Sequence, residues 1–581
     1  MSLNQSKRVK VLIIGAGPIG CTAALQLSKT KQSIRIIDMN DDVCLMEHSK
    51  ATVVHPRPLE LLPEIADILV EKGLKLTGTT INRVQGAVEV ESVHHLVEAT
   101  EFPFSLGIQQ GTVERELLKK LCETGILVER KTKFKSLEQN DDGVSVVVEK
   151  SENGLMHLET IYCDYVIGCD GAHSLTRKLV KAEFKGDRFD ETFNILDCRM
   201  SSDISRSKVH LFLRPEYMML LYPLPNDAND LWRFMTHNFD IDFNNNGKAP
   251  QAVDHGRNKH KSVDVNLIQS QIDEMLSGPI LHDVQWNSVF HISKRCVEEL
   301  KFNRIFLAGD AAHIHSPVGS QGLNTGIGDI SNLTWKLGMV INGQAPPSIL
   351  ESYSTERVPI IKDMLQSTTT SMQAVTTGNL MLQSMRNKLM GYFLGFEFVQ
   401  SIVAHQMAEL HVTYKGSKSP ILDNYLKGDS AIISAGSRAP NAFMMSLNMR
   451  LYGYIRKLRQ PQPFMHTAFI IINSDKDTLF DIAERFALQL IVKSCQMMNV
   501  VFVMPLGLKQ RHLAYMRKIN ADVGNTYPYV MHNYDEFERA YKLSSNGRTS
   551  IVVIRPDMYV GYLSNDLHEE HCLKWHSAVF K

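Results

Sequence analysis

Three glycines near the start of the chain, Gly15, Gly17 and Gly20, stand in the spacing G-x-G-x-x-G within VLIIGAGPIG, residues 11–20. Glycine at the first position permits a tight turn out of a strand. At the second it removes the Cβ where a diphosphate must approach the backbone, and at the third it lets a helix lie close on the strand. The N-terminus of that helix offers unpaired N–H groups and a partial positive charge to phosphate oxygens, so Pro18 and Ile19, between the glycines, count with the site. Asp38 stands 23 residues after Gly15, at the end of a second apolar run, placed to accept hydrogen bonds from a ribose. An acid there disfavours a 2′-phosphate, so the dinucleotide is of FAD or NAD type rather than NADP. A lone glycine triplet can be no more than a tight turn. Here strand, spacing and acid agree.

Two later segments have related chemistry. YVIGCDGAHSLTR (165–177) and RIFLAGDAAHIHSPVGSQGLNTGIGD (304–329) each bring an apolar strand to Gly and Asp. Either one alone could be a strand end capped by a carboxylate. Their occurrence together, in this order after the first fingerprint, is specific.

The elements that must position these residues can be read around them. Val9–Ile14 is a strand, Gly15–Gly20 a turn, Cys21–Lys29 a helix and Ile34–Ile37 the next strand, a βαβ opening. Alternating β-branched residues at 84–97 and 144–149 predict antiparallel strands, with Asp141-Asp142-Gly143 as a turn signal before the second run. Thr112–Thr124 reads as an amphipathic helix and Tyr165–Ile167 as a strand. The segment 191–297 is strand-rich, with a polar insert at Asn244–Lys261 expected to be a mobile loop. A further strand–helix junction falls at Ile305–Asp329. Residues 360–412 read as helical and rich in Met and Leu, a pattern that usually lies in a core and also suits adaptable ligand pockets. Pro420 and Gly436–Pro440 mark a boundary. Beyond it the strands Thr467–Ile472, Val500–Met504 and Ser550–Arg555 alternate with helices such as Asp477–Leu490, a separate small α/β domain. The expected domains are 1–190 and 301–415 for the dinucleotide, 191–300 for a substrate-binding sheet, and 435–581 at the C-terminus.

The three motifs together resemble those of the aromatic-ring hydroxylases, single-component flavoprotein monooxygenases typified by para-hydroxybenzoate and phenol hydroxylases. The resemblance spans about the whole chain, most strongly 8–60, 105–180 and 300–360. It implies an α/β fold: a Rossmann-type FAD-binding domain interleaved with a β-sheet substrate domain, plus a thioredoxin-like C-terminal α/β domain. It also implies residue roles. Asp310, after Gly309, would bind the ribityl chain of FAD. Asp170-Gly171, with Ser174 and Arg177, would serve both FAD and a visiting NADH or NADPH. Pro317 would sit against the flavin edge. Gly319, Gly322, Leu323 and Asn324 would bring backbone N–H groups and a helix N-terminus to the reduced, anionic ring, an interaction worth about 0.3–1 kcal/mol. Ser320 stands where the family usually has a second glycine. Lys50, in SKATVVHPRPLELL (49–62), holds the place of a basic residue on FAD, with Arg57 and Glu60 fitting the same segment or forming a structural ion pair. Gln110, in QQGTVERELL (109–118), would contact the flavin side. GSRAPN (436–441) and IVVIRPDMYVGY (551–562) carry the likeness of the tail, which lacks C-x-x-C and so cannot do dithiol chemistry. Its expected work is packing or dimerisation, with a homodimer as one assembly.

The activity implied is monooxygenation. NADH or NADPH would reduce FAD, and the reduced flavin with O2 would form a hydroperoxide that hydroxylates an aromatic or polycyclic substrate. Phenol hydroxylase uses an Asp five residues before the Arg that matches Arg57, and a Tyr where Met235 stands. Thr52 occupies the Asp position, so that pair is not evident and a bulkier or non-phenolic substrate is expected. His55 and Tyr222 are the candidate replacements for the catalytic base, each with an equal or better claim to a structural role. The alternative from another class is a flavoprotein that acts as a binding or assembly partner, with FAD as a structural ligand. A flavin halogenase would carry Trp-x-Trp-x-x-Ile-Pro, which none of the four tryptophans forms.

Composition sets outer bounds. Lys+Arg and Asp+Glu are 63 each, which argues against a broad nucleic-acid or anionic-membrane footprint. Nine scattered cysteines without C-x-x-C predict reduced, mostly buried thiols and no metal site. No signal-peptide core is evident, and no uninterrupted apolar stretch reaches the ~18 residues of a spanning helix, so cytoplasm is the expected location.

Overall fold

The structure is a computed structural model. It describes residues 8–41, 53–152, 155–238, 264–276, 278–315, 319–377, 379–426, 433–444, 449–459, 462–472, 477–494, 496–505, 529–532, 540–541 and 549–581. The insert Asn244–Lys261 lies outside them. Contacts divide the chain into two compact units, one of residues 1–28, 33–330 and 361–410, the other of 29–32, 331–360 and 411–581. No helix among the described residues is long and apolar enough to cross a membrane.

The first unit holds two large sheets. One runs in the order Lys301–Phe302, Ile305–Leu307, Leu155–Gly168, Val9–Ile14, Ile34–Ile37 and Val128–Glu129, and the strands Thr132–Gln139 and Val144–Glu152 extend Leu155–Gly168. Its central strands are parallel and buried on both faces, which is why they read as unbroken apolar runs. Register places Ile14 beside Gly168 and Ile37, and Gly168 beside Leu307. The chain therefore leaves the sheet at one level at four points: Gly15, Asp38, Cys169-Asp170 and Ala308-Gly309. Three stretches separated by more than a hundred residues each meet at one carboxyl edge.

The second sheet runs His313–Ile314, Leu281–Cys296, Lys185–Met200, Leu231–Asn238, Tyr217–Pro223, Lys208–Leu213, Gly78–Arg83 and Gly86–Glu91. The two-residue period of a strand sorts its side chains. Phe193, Ile195, Leu220, Tyr222 and Met235 form one core with Met372 and Leu394 from the helical segment. Leu196, Cys198, Trp232 and Phe234 form another with Ile268 and Ile272 of the helix Val265–Met275. The strand expected over 84–97 ends at Glu91, and Val93–Leu96 is a helical turn. Its pairing partner begins at Gly78, opposite Glu91, and both the N–H and the hydroxyl of Ser92 donate to the Thr77 carbonyl. With no partner beyond that point the chain turns.

The second unit has a six-stranded sheet in the order Asp423–Tyr425, Val560–Ser564, Thr549–Ile554, His466–Ile472, Met498–Pro505 and Tyr529–His532. The last three are parallel, and Thr549–Ile554 is antiparallel to both of its neighbours. A fully buried ionic cluster ties the unit together. The Glu356 carboxylate accepts from Lys336 Nζ (2.9 Å), Asn332 Nδ2 (2.7 Å), the Ser419 hydroxyl (2.7 Å) and both Arg555 Nη atoms (2.8 and 2.9 Å). Arg555 also pairs with Asp557. Burial pushes the Glu356 carboxyl up, but the charges of Arg555 and Lys336 outweigh it and hold it well below its ordinary value. Burial brings Lys336 down to about 8.

Candidate active site

At the first corner the glycines do three different things. Gly15 has φ +100°, and a Cβ there would stand 2.4 Å from the Cys169 carbonyl oxygen. At Gly20 it would stand 1.9 Å from the Gly15 carbonyl oxygen. Both positions are closed by the fold itself. At Gly17 an added Cβ meets nothing within 4 Å, so the fold makes no demand for glycine there and the open face is what a bound group would use. The Asp38 carboxylate accepts from the N–H groups of Ala16 (2.7 Å) and Asn40 (2.8 Å), with Arg130 3.8 Å away. Arg130 had no sequence motif to announce it. Pro18 opens the helix Pro18–Ser28. Ile19 packs against the third motif: a Cβ at Gly309 or Gly326 would meet it at 3.0 or 2.7 Å. Cys21, buried in the same helix, turns its thiol to the Ala16 carbonyl, and burial raises it to about 12. Burial also holds the Cys169 thiol well above its usual value.

The second motif is locally tied. Asp170 accepts from the Ser174 hydroxyl (2.6 Å) and from the N–H and hydroxyl of Thr176 (2.9 and 3.0 Å), ordering the start of the short helix Leu175–Leu179. Arg177 then reaches across 134 residues to the Ala311 carbonyl (2.9 Å), with its other end on the Ala172 carbonyl (2.8 Å) and its plane over Phe184. It fastens the second motif to the third.

In the third motif Gly309 has φ +58°, and its N–H donates to Asp329 (3.3 Å), which also binds His313 Nε2 (2.7 Å). His313 and Asp329 are both buried. Asp310 lies between buried Gly309 and Ala311 yet is itself exposed, and no described residue bonds its side chain. Gln110 begins the helix Gln110–Glu123, and its amide donates to Glu114 (2.8 Å). Arg57 and Glu60 form a buried ion pair at 2.7 Å, and Glu60 also takes the Thr100 hydroxyl (2.7 Å). Lys50, Thr52 and Pro317 lie outside the described residues.

The loop 319–324 is clasped from outside. His55 Nε2 lies 2.9 Å from the Gly319 carbonyl oxygen. A carbonyl can only accept, so Nε2 carries the proton and Nδ1 accepts from the Ser105 hydroxyl at 3.0 Å. Burial lowers His55 to about 4. Asn324 accepts from the His55 N–H (2.9 Å) and donates to the carbonyls of Val53 (3.0 Å) and Ser320 (2.6 Å). With both ring nitrogens in use, His55 has the bonding of a clasp. Gly322 and Leu323, in the first turn of the helix Gln321–Ile341, are half-buried. Ser320 adopts φ +53°, and its side chain bonds the buried Tyr222 hydroxyl, whose pKa burial raises. Tyr222 thus joins the loop to the second sheet.

Beside Tyr222 the sheet carries a buried ion pair. Arg233 Nε and Nη2 each lie 2.7 Å from an Asp197 oxygen, and Trp286 stacks 5.1 Å from the guanidinium. The sequence signal was the charge inside LWRFM: a cation in an otherwise apolar strand requires a buried partner. The face is otherwise largely apolar, with Met235, Leu220 and Met372, and buried His237 two residues beyond Met235 stacks on Phe193 at 5.1 Å. The described residues contain no group of three or more His, Cys, Asp or Glu that could hold a metal ion.

The open face at Gly17, the exposed Asp310 and the helix start at Gln321, brought together by Ile19 packed on Gly309 and Gly326, fit a dinucleotide at the carboxyl edge of a Rossmann-type sheet. That defines the class of protein. A model of the FAD binding domain matches residues 8–368, and the chain belongs to that family. It is similar to 6-methylpretetramide 4-monooxygenase of Streptomyces rimosus, with 30% identity over 374 residues, covering 64% of this chain and 63% of that one. It is 26% identical over 576 residues to pentachlorophenol 4-monooxygenase of Sphingobium chlorophenolicum, covering 96% and 94%. The solved ternary complex of aklavinone-11 hydroxylase with FAD and aklavinone has the same fold, with a TM-score of 0.70 at 18% identity over 99% of both chains. The chain is an FAD-dependent monooxygenase.

Proposed function

We propose that the enzyme uses NADH or NADPH and O2 to hydroxylate an aromatic substrate of polycyclic size. The observation that carries the reading is the convergence of the three motifs at one sheet edge, within reach of a largely apolar sheet face. FAD, when bound, supplies hydride acceptance and the activation of O2. Among this chain's residues, Asp38 holds the ribose, and the open backbone at Gly17 with Pro18 and Ile19 admits the diphosphate. Asp310 takes the ribityl hydroxyls, and the loop from Gly319 to Asn324 presents the helix start to the ring, with Gln110 on the flavin side. Asp170 and Arg177 keep the second and third motifs in register. Tyr222 is the polar group best placed to orient substrate, next to Arg233. Met235 and Met372 make the wall beside it one that accepts broad apolar rings. For the C-terminal unit we infer a thioredoxin-like α/β domain with a packing role. Its three parallel strands followed by an antiparallel pair support this reading.

The test is to purify the full chain, record its flavin spectrum, and follow NADH and NADPH oxidation against simple phenols and polycyclic aromatics. Substrate-accelerated flavin reduction with a hydroxylated product is expected. If no aromatic accelerates reduction, the hydroxylase reading fails.

A further inference from the structure

The helices Leu380–Phe393 and Glu397–Met407 are built the wrong way round for a solvated surface. In the first, the residues turned fully inward are polar: Gln383, which donates to the carbonyls of Pro215 (3.1 Å) and Thr377 (2.8 Å), and Asn387, whose carbonyl accepts from Arg83. The outward side is apolar. Met381 is 78% exposed, Tyr392 66% and Phe398 65%. Met390, Leu394, Val399 and Val403 meanwhile pack inward on the sheet face that carries Tyr222. The pair is thus apolar on both sides, the pattern of a helix that has protein on both sides. The outer rings are continuous from one helix to the next, with Tyr392 5.2 Å from Phe396 and Phe396 6.0 Å from Phe398.

Size and charge point to the occupant. Eleven large apolar side chains between Leu380 and Met407 stand exposed, and at roughly 100 Å² apiece they offer on the order of 1,000 Å². The largest apolar patch of an ordinary monomer is ~300–600 Å², whereas a stable interface takes ~800 Å² from each partner. The composition, rich in Met and aromatics and poor in charge, is that of an interface core. From residue 364 to 396 the sequence has no carboxylate and only two cations, Arg386 and Lys388. Arg386 is spent on the carbonyls of Ala374 and Val375. Lys388 and Glu397 remain on the exposed side, so a second copy of the face would meet no excess of like charge, as a two-fold interface requires. A helix that lies on anionic lipid instead carries a Lys/Arg-rich face. We propose that these two helices form the two-fold interface between two copies of this chain.

The experiment is sedimentation velocity on the FAD-loaded full chain from about 0.1 to 20 µM, beside a Tyr392→Glu/Phe398→Glu variant. Neither side chain is part of the proposed FAD site, and flavin absorbance with far-UV circular dichroism verifies that the variant is folded. The wild type is expected at twice the 65.6 kDa chain mass and the variant at the single mass with unchanged flavin content. Hydrogen exchange over 380–407 should be slow in the wild type and at least tenfold faster in the variant. A dimer that survives the substitutions overturns the proposal. So does a wild-type monomer, whether it floats with phosphatidylcholine/phosphatidylglycerol vesicles, which assigns the face to lipid, or shows slow exchange over 380–407, which assigns it to the chain's own segments.

Discussion

Substitution at Gly17 and Gly20 separates ligand chemistry from packing within one turn. Gly17→Ala adds a methyl where the fold leaves room, so apo stability should change by less than about 0.5 kcal/mol. FAD affinity should fall by roughly tenfold, about 1.4 kcal/mol. Gly20→Ala drives a methyl into the Gly15 carbonyl and should cost about 1–3 kcal/mol of stability even without FAD. Thermal melts and flavin titrations of the two apo-proteins check both, and equal behaviour would remove Gly17 from the site. Asp310→Ala should leave the fold intact and strip FAD during gel filtration; a fully loaded variant refutes the assignment. His55 makes a pH-dependent prediction. Burial sets its folded pKa at about 4 against an ordinary 6.5, so unfolding takes up a proton between those values. Stability is then fully present above about pH 6.5 and falls as pH drops toward 4, by on the order of 3 kcal/mol at most. His55→Gln should flatten that part of the pH–stability curve, and an unchanged slope would show that other groups carry it.

At the scale of elements, Arg555 makes the sharpest case. Arg555→Met leaves Glu356 and Asp557 buried without their main cation and should cost about 3–5 kcal/mol, measured by chemical denaturation. Glu356→Gln in the same background should recover part of the loss, and additivity of the two would deny the coupling. Elements differ in how legible they were. The strand–turn–helix opening could be read because its geometry admits only glycine: φ +100° and a 2.4 Å approach at Gly15 leave a mark on the sequence. The role of Asp170 could not, because a carboxylate at a strand end serves a local cap and a ligand equally well, and here both oxygens are held by Ser174 and Thr176. The Met-rich pattern of 360–412 fits a core or a pocket. Met372 and Met390 do turn inward, but Met381, Met385 and Met407 turn out. Apolar periodicity shows that a helix has a face to cover without saying which side of the protein covers it. The strap from Arg177 to Ala311 and the pair of Arg233 with Asp197 needed tertiary structure, since nothing local in sequence names a partner 134 or 36 residues away.

For the molecule as a whole, the apolar wall of Met235, Leu220 and Met372 predicts a preference in size. We expect kcat/KM for a three- or four-ring aromatic to exceed that for phenol by at least tenfold, since each added buried ring contributes more than about 1.4 kcal/mol. Equal values would mean that this wall does not line the substrate.

Burial of Cys21, and the desolvation that raises half-buried Cys169, bear on how long the enzyme lasts. Peroxide attacks the thiolate, and a thiol raised to about 12 is almost never ionised at neutral pH. If turnover without product were to release hydrogen peroxide, neither of these two thiols would offer it a ready target. Of the seven described cysteines only Cys122 is exposed. A thiol-specific reagent should modify it in the native protein and reach Cys21 only on unfolding. Among the described cysteines, thiol oxidation would then begin near the C-terminal end of the helix Gln110–Glu123 and spare the glycine turn.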